Sequence, residues 1–180
     1  MKLETERLYL RHWEPSDFAD LADMLQDPRV MYAYEHRFLD ADVQEWLERQ
    51  IARYQKDGFG LCAMVEKHSG MVVGQAGLSW QPCQGEKLLE IGYHLKWKYW
   101  GRGYATEAAL GCRRYAFEIL GAPAVYSIIK SDNTASMRVA ERTGMRRLGE
   151  FMATYYAGAM RHYLYGVQNP QKADEPLFLP

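Results

Sequence analysis

The run Trp100-Gly101-Arg102-Gly103-Tyr104-Ala105-Thr106-Glu107-Ala108 constrains this chain more than any other stretch. It follows an alternating, strand-like segment, Leu89-Glu90-Ile91-Gly92-Tyr93-His94-Leu95, and opens a helix-like pattern that continues to about Leu120. A strand, a small-residue turn and a helix start form a cradle for an anion. The first helical turn has backbone N–H groups without intrahelical partners, and the helix dipole favours negative charge there. Glycine at Gly101 and Gly103 lets a ligand approach the backbone without a Cβ in its path. The turn lacks the Gly-Lys-Ser/Thr ending of a P-loop. Thr106 stands where a dinucleotide fold would place its third glycine, and no repeated βαβ pattern follows.

The remaining pattern gives the order β-α-α-β-β-β-α-β-α-β-β. Residues 6–11 read as a first strand. Pro15-Ser16-Asp17 opens a helix with the stripe Phe18, Leu21, Ala22 and Leu25, and Asp27-Pro28 stops it. Residues 30–38 are aromatic and irregular. Asp40 or Asp42 caps a second helix that ends at Gly58. Strands are expected over 60–67, 71–80 and 87–96, with Gln81-Pro82-Cys83-Gln84-Gly85 as a loop between the last two. Residues 124–130 read as a buried strand, and Asp132 or Asn133 caps a short helix ending at Gly144. Strands over 145–151 and 160–167 finish the domain. The fold class is therefore a mixed α/β sheet. A helix between two strands implies a central parallel pair, and ligands favour the crevice where such a pair parts. Residues 1–168 form one domain, and 169–180 read as a loosely held tail.

Composition excludes several function classes. A length of 180 residues suits one domain, and a net charge of −1 gives no bulk attraction to nucleic acid or an anionic membrane. Neither is an expected partner. The cysteines Cys62, Cys83 and Cys112 form no CxxC pair and no zinc spacing, so no metal is expected and a reducing compartment fits. Met1-Lys2-Leu3-Glu4 leads into no apolar stretch of the signal-peptide kind, so a cytoplasmic location is expected.

Several segments together resemble the GCN5-related N-acetyltransferase (GNAT) superfamily over roughly residues 3–168. They are Thr5-Glu6-Arg7-Leu8-Tyr9-Leu10-Arg11, Val73-Gly74-Gln75-Ala76-Gly77-Leu78, Glu90-Ile91-Gly92-Tyr93, the run from Trp100 to Ala108, and Asn133-Thr134-Ala135-Ser136-Met137-Arg138 continuing to Met145. The nearer likeness is to the branch that acetylates N-termini of bacterial ribosomal proteins. The family's phosphate signature reads Gln or Arg, any two residues, Gly, any residue, then Gly or Ala. Gly103 and Ala105 fill its last two places, and Trp100 departs from its first.

The resemblance implies acetyl-CoA as cosubstrate. Its pyrophosphate would lie on the turn formed by Trp100, Gly101, Arg102, Gly103, Tyr104, Ala105 and Thr106, and its arm along Tyr93, His94 and Leu95. It further implies direct transfer to a primary amine, either a protein N-terminus or a small molecule. Glu90 is the candidate base, because strand alternation sets Glu90, Gly92 and His94 on one face. Glu90 can equally be read as a carboxylate that only attracts the ammonium. His94 is an alternative base or a flanking residue. Ser136 is the candidate acid or hydrogen-bond donor to the leaving sulfur, or a helix-start serine satisfying the backbone. Asn133 binds the arm, caps the helix, or does both. Arg138 reaches a CoA phosphate or solvent.

Trp13, Tyr32, Tyr34, His36, Phe38, Trp80, Tyr155 and Tyr156 cluster in connections and strand ends. They read as an acceptor groove, as contacts between two copies in a homodimer, or as core, with Glu35 available to a cationic acceptor. The alternative function is a non-catalytic acyl-CoA-binding or sensing module that has kept only the cofactor cradle.

Overall fold

The computed structural model describes residues 3–172 and 174–180. It holds one eight-stranded sheet in the order β1-β2-β3-β4-β5-β6-β8-β7. The strands are β1 (Leu3–Glu4), β2 (Leu8–Arg11), β3 (Leu61–Glu66), β4 (Val72–Cys83), β5 (Glu86–Leu95), β6 (Ala124–Lys130), β7 (Arg146–Tyr155) and β8 (Gly158–Gln168). Among the described residues, the helices are α1 (Phe18–Leu25), α2 (Pro28–Met31), α3 (Asp40–Asp57), α4 (Tyr104–Glu118) and α5 (Thr134–Arg142), with short 3-10 turns between elements. The mixed α/β class and the central parallel pair are as the pattern implied. Among the described residues, no helix is long and apolar enough to cross a membrane.

Three details differ from the sequence reading. The first strand is two pieces, because Thr5 closes a turn by donating from its amide to the Leu8 carbonyl at 2.9 Å. Asp27-Pro28, read as a stop, opens α2, which runs into the stretch read as irregular: the Asp27 carboxylate accepts from the Arg29 amide at 2.9 Å, and Pro28 follows at the first helical position. The expected loop around Pro82 is strand. Cys83 pairs with Glu86, leaving a two-residue turn at Gln84 and Gly85, both with positive φ (52° and 85°). Pairs alternate along an antiparallel ladder, so Pro82, opposite Lys87, falls at a position that needs no N–H donor toward β5.

Two apolar layers hold the sheet. On one face α4 buries Ala108, Ala109, Cys112 and Ala116 against Leu10, Met64, Leu78 and Ile91. Small residues on α4 let that helix lie close to the strands. On the other face α1 and α3 bury Leu21, Leu25, Val43, Trp46 and Leu47 against Leu61, Ala63 and Val65. The C-terminal segment returns to the sheet. Leu177 and Phe178 pack near Tyr126 and Leu164, and the Phe178 amide donates to the Tyr126 hydroxyl at 2.9 Å.

The sheet parts between β5 and β6. Only one residue pair, Glu90 with Tyr126, is in register there. Beyond it the two strands diverge, and side chains take over from the ladder. The Ser127 hydroxyl donates to the Ile91 carbonyl at 2.9 Å, and the Tyr93 hydroxyl donates to the Ser136 carbonyl at 2.9 Å.

Candidate active site

A cavity of about 530 Å³ fills the gap left by the parting strands. Its walls come from β5, β6, α3, α5, the segment around Tyr34, the β7 end at Tyr155 and the turn before α4. Of the residues singled out from the sequence, it brings together Glu90, Tyr93, His94, Leu95, Trp100, Gly101, Gly103, Ala105, Thr106, Asn133, Ser136, Arg138, Tyr32 and Tyr34.

The turn before α4 is built for its place. Gly103 has φ +80° and is the residue before the helix, so a side chain there is strained. The amides of Gly103, Tyr104, Ala105 and Thr106 have no hydrogen-bond partner among the described residues. Trp100, which departs from the family signature, serves the structure instead. Its indole N–H donates to the Leu95 carbonyl at 2.9 Å and pins the turn to the end of β5. Arg102 and Tyr104 point elsewhere. The Arg102 guanidinium lies 5.3 Å from the Tyr99 ring centre, and the Tyr104 hydroxyl donates to the Glu66 carboxylate.

Glu107, which sequence reasoning passed over, anchors this turn from below. It accepts from the Thr5 hydroxyl (2.6 Å), the Arg7 amide (2.8 Å) and Arg7 Nε (2.6 Å), while Arg7 Nη1 reaches the Arg102 carbonyl at 3.0 Å. Burial pushes the Glu107 carboxyl upward, but these bonds together outweigh it and hold it below the usual range. The Thr5-Glu6-Arg7 motif thus fixes the cradle's position.

Glu90 sits where the strands separate. Its Oε1 accepts from the Ile128 amide at 3.2 Å, replacing a bond that the diverging ladder no longer supplies. Burial raises the carboxyl to about 7, against the opposing pull of the Ile128 amide, Arg53 and Gln81. A carboxyl at that value exchanges its proton readily near neutrality.

His94 is differently placed from a free base. The Gln75 Oε1 faces two indole N–H donors, Trp13 at 3.2 Å and Trp46 at 3.3 Å, and indole nitrogen only donates. The amide nitrogen of Gln75 therefore faces His94 Nδ1 at 3.0 Å and donates to it. His94 then carries its hydrogen on Nε2, 3.2 Å from the Tyr34 oxygen. Both ring nitrogens are committed, and burial pulls the imidazole down to about 4. The Tyr34 hydroxyl accepts from His94 and keeps its own hydrogen for the cavity. Gln75, fully buried at the centre of this chain, was not singled out from the sequence. Its signal was there: one amide inside the small and apolar run Val72-Val73-Gly74-Gln75-Ala76-Gly77-Leu78.

Four of the aromatic residues, Trp13, His36, Phe38 and Trp80, do not line the cavity. Trp13 is 2% exposed and packs in the core beneath α1 and α3. Trp80 is on the outer surface beside Phe59 and under the Lys87 ammonium. Strand alternation turns Trp80 away from its neighbours Ser79 and Gln81, which do line the cavity. Tyr155 and Tyr156 are at the cavity, where Tyr155 meets Tyr34 edge-on and Tyr156 stacks on His36 at 4.1 Å. Asn133 caps α5: its Oδ1 accepts from the Ser136 amide at 3.1 Å, and from the Tyr32 hydroxyl at 2.8 Å as well. Only its amide nitrogen is left for a ligand. Glu35 is paired with Lys130 at 2.5 Å. Among the described residues no cluster of His, Cys, Asp and Glu is arranged to hold a metal.

Comparison with known proteins bears on the family and the fold. Residues 7–146 match the family model described as an acetyltransferase (GNAT) domain. The Bacillus subtilis (strain 168) protein YkkB is 35% identical over 145 residues, covering 80% of this chain and 84% of that protein. A GNAT-family acetyltransferase from Bacillus anthracis superposes with a TM-score of 0.80 at 26% identity, covering 94% of this chain and 99% of its own. A RimL structure shares the fold at a TM-score of 0.75 and 14% identity, covering 93% and 98%. The chain therefore belongs to the GNAT family and is an acetyltransferase.

Proposed function

We propose that this protein transfers the acetyl group of acetyl-CoA directly to a primary amine within a ternary complex. One observation carries the reading. A part-buried carboxyl raised to about 7, Glu90, lies in the same cavity as the unpartnered amides at the start of α4. The RimL structure is described as a ribosomal L7/L12 alpha-N-protein acetyltransferase in complex with coenzyme A, which supports both the cosubstrate and an N-terminal amine as acceptor.

The residues fit the cosubstrate. The amides of residues 103–106 would hold the pyrophosphate, with Arg138 near a further phosphate. Tyr93, His94 and Leu95 border the path of the arm, and the Asn133 amide and Ser136 hydroxyl stand at its far side. Acetyl-CoA supplies an activated carbonyl. Glu90 takes a proton from the acceptor ammonium, directly or through one water, and so frees the amine lone pair for attack on that carbonyl. As the C–N bond forms and the C–S bond breaks, the nitrogen's surplus proton passes by way of water to the departing sulfur, leaving an amide and a free thiol, and the Ser136 hydroxyl gives a hydrogen bond to that sulfur. Tyr34, with its hydroxyl hydrogen turned toward the cavity, orients the acceptor.

The test is incubation with acetyl-CoA and a panel of peptides and small amines, following free thiol and acceptor mass. Thiol release with a one-acetyl mass gain on a primary amine is expected. Tight coenzyme A binding with no turnover on any acceptor would instead favour a sensor.

A further inference from the structure

The cavity carries two arginines that transfer chemistry does not use. Arg49 and Arg53 are one turn apart on α3 and both line the cavity, where the Arg53 charge acts on the Glu90 carboxyl. Arg53 makes a single protein hydrogen bond, from Nη1 to Gln50 Oε1 at 3.3 Å, and no carboxylate lies within ion-pair distance of it among the described residues. Arg49 rests on the Trp46 ring at 4.9 Å, and its one ion pair among the described residues is with the exposed Glu45, at 3.9 Å.

Two like charges on adjacent turns repel, and removing a guanidinium from water is costly without a partner. Glu90 does not supply that partner. No ion pair joins it to Arg53 among the described residues; the Arg53 charge acts on it only at longer range, offsetting part of the burial that raises the carboxyl. Nor does the phosphate cradle. Glu90 and Leu95 are about 16 Å apart along β5, at roughly 3.3 Å per residue, and the cradle lies beyond Leu95. The positive charge on α3 is therefore matched to something that enters beside Glu90, on the acceptor side.

We infer that the acceptor is a primary amine that also bears a carboxylate, with the guanidinium of Arg53, assisted by Arg49, holding the carboxylate while the amine faces Glu90. The planar fork of arginine matches a carboxylate with two parallel hydrogen bonds, and such charge-assisted pairs fix orientation as well as affinity. This inference rests on the proposed function for the site's orientation. Two sources present the same chemistry: a free amino acid, or a peptide with an acidic residue next to its N-terminus.

The experiment compares matched pairs differing only in charge. β-Alanine is set against β-alaninamide, and a peptide with aspartate in second place against its asparagine counterpart, each with acetyl-CoA. A preference of about ten- to a hundredfold in kcat/KM for the carboxylate member is expected, carried by KM. Arg53→Gln should bring the ratio toward one, and Arg53→Lys should recover part of it. Whichever pair shows the larger ratio identifies the source. A ratio near one for both pairs in the native protein, or a ratio that Arg53→Gln leaves intact, overturns the inference.

Calorimetric titration of N-acetyl-β-alanine and its amide into the coenzyme A-loaded protein decides the same point without turnover. Carboxylate-dependent binding lost in Arg53→Gln supports the inference even if no amine is acetylated, and that absence would count against the proposed function alone. Equal binding of acid and amide overturns it.

Discussion

Glu90→Gln should make the protein slower and more stable at once. The glutamine keeps an oxygen for the Ile128 amide at nearly the same size, so the packing is preserved. What it removes is a carboxyl whose burial lifts it from the ordinary 4.5 to about 7. A group raised in the folded state binds more protons there than in the unfolded chain between those two values. Its contribution to stability is complete below 4.5 and is lost as pH rises through 7. At about 1.4 kcal/mol per pH unit between them, the native protein forfeits about 3 kcal/mol on going from pH 4 to pH 8 through this group. Urea unfolding of the variant should show that pH dependence flattened and, at pH 8, a gain of up to about 3 kcal/mol. Its acetyl transfer should fall by roughly a hundredfold or more, the usual worth of a general base. In the native protein kcat/KM should rise with pH to a plateau with a midpoint near 7. A variant with unaltered pH dependence of stability and an unaltered rate profile would show that Glu90 is not the group held protonated, and the base assignment would go with it.

Further perturbations probe the supports of the site. Gly103→Val forces a β-branched residue to φ +80° at the mouth of the cradle, and calorimetry should show acetyl-CoA affinity lowered at least about tenfold. Arg7→Ala removes the bridge from Glu107 to the Arg102 carbonyl; acetyl-CoA binding should weaken several-fold with little change in the rate at saturation. Gln75→Leu strands the Trp13 and Trp46 indole N–H groups and frees His94 Nδ1, which should cost roughly 3 kcal/mol or more in urea unfolding. His94 is held neutral, so NMR titration should find no imidazole protonation between pH 5.5 and 8, a window above its value of about 4.

The architecture was readable because its carriers are local. The stripe on α4, the glycine at its start and the asparagine before α5 each act within a few residues, and each is where periodicity and capping put it. Glu90 was readable by alternation along one strand. What escaped depends on contacts between distant segments. Nothing near Trp13 shows that Gln75, sixty-two positions away, will hold its indole in the core. Pro82 reads as a breaker until the pairing register gives it a position without a donor. Glu107 looks like an ordinary first-turn acid until Arg7 arrives from another part of the chain. His94 looks like a base by its residue type, and only its two partners make it a fixed donor.

The seam between β5 and β6 also has a mechanical consequence. One registered pair joins the half-sheet β1–β5 to the half-sheet β6–β8, and the remaining stitches run through Glu90, Ser127 and Tyr93. Across the molecule's middle, side-chain bonds and the packing of α4 against both halves thus take the place of an amide ladder. Single substitutions there can retune how widely the halves gape, and so the bulk of acceptor admitted, while leaving the framework of each half untouched.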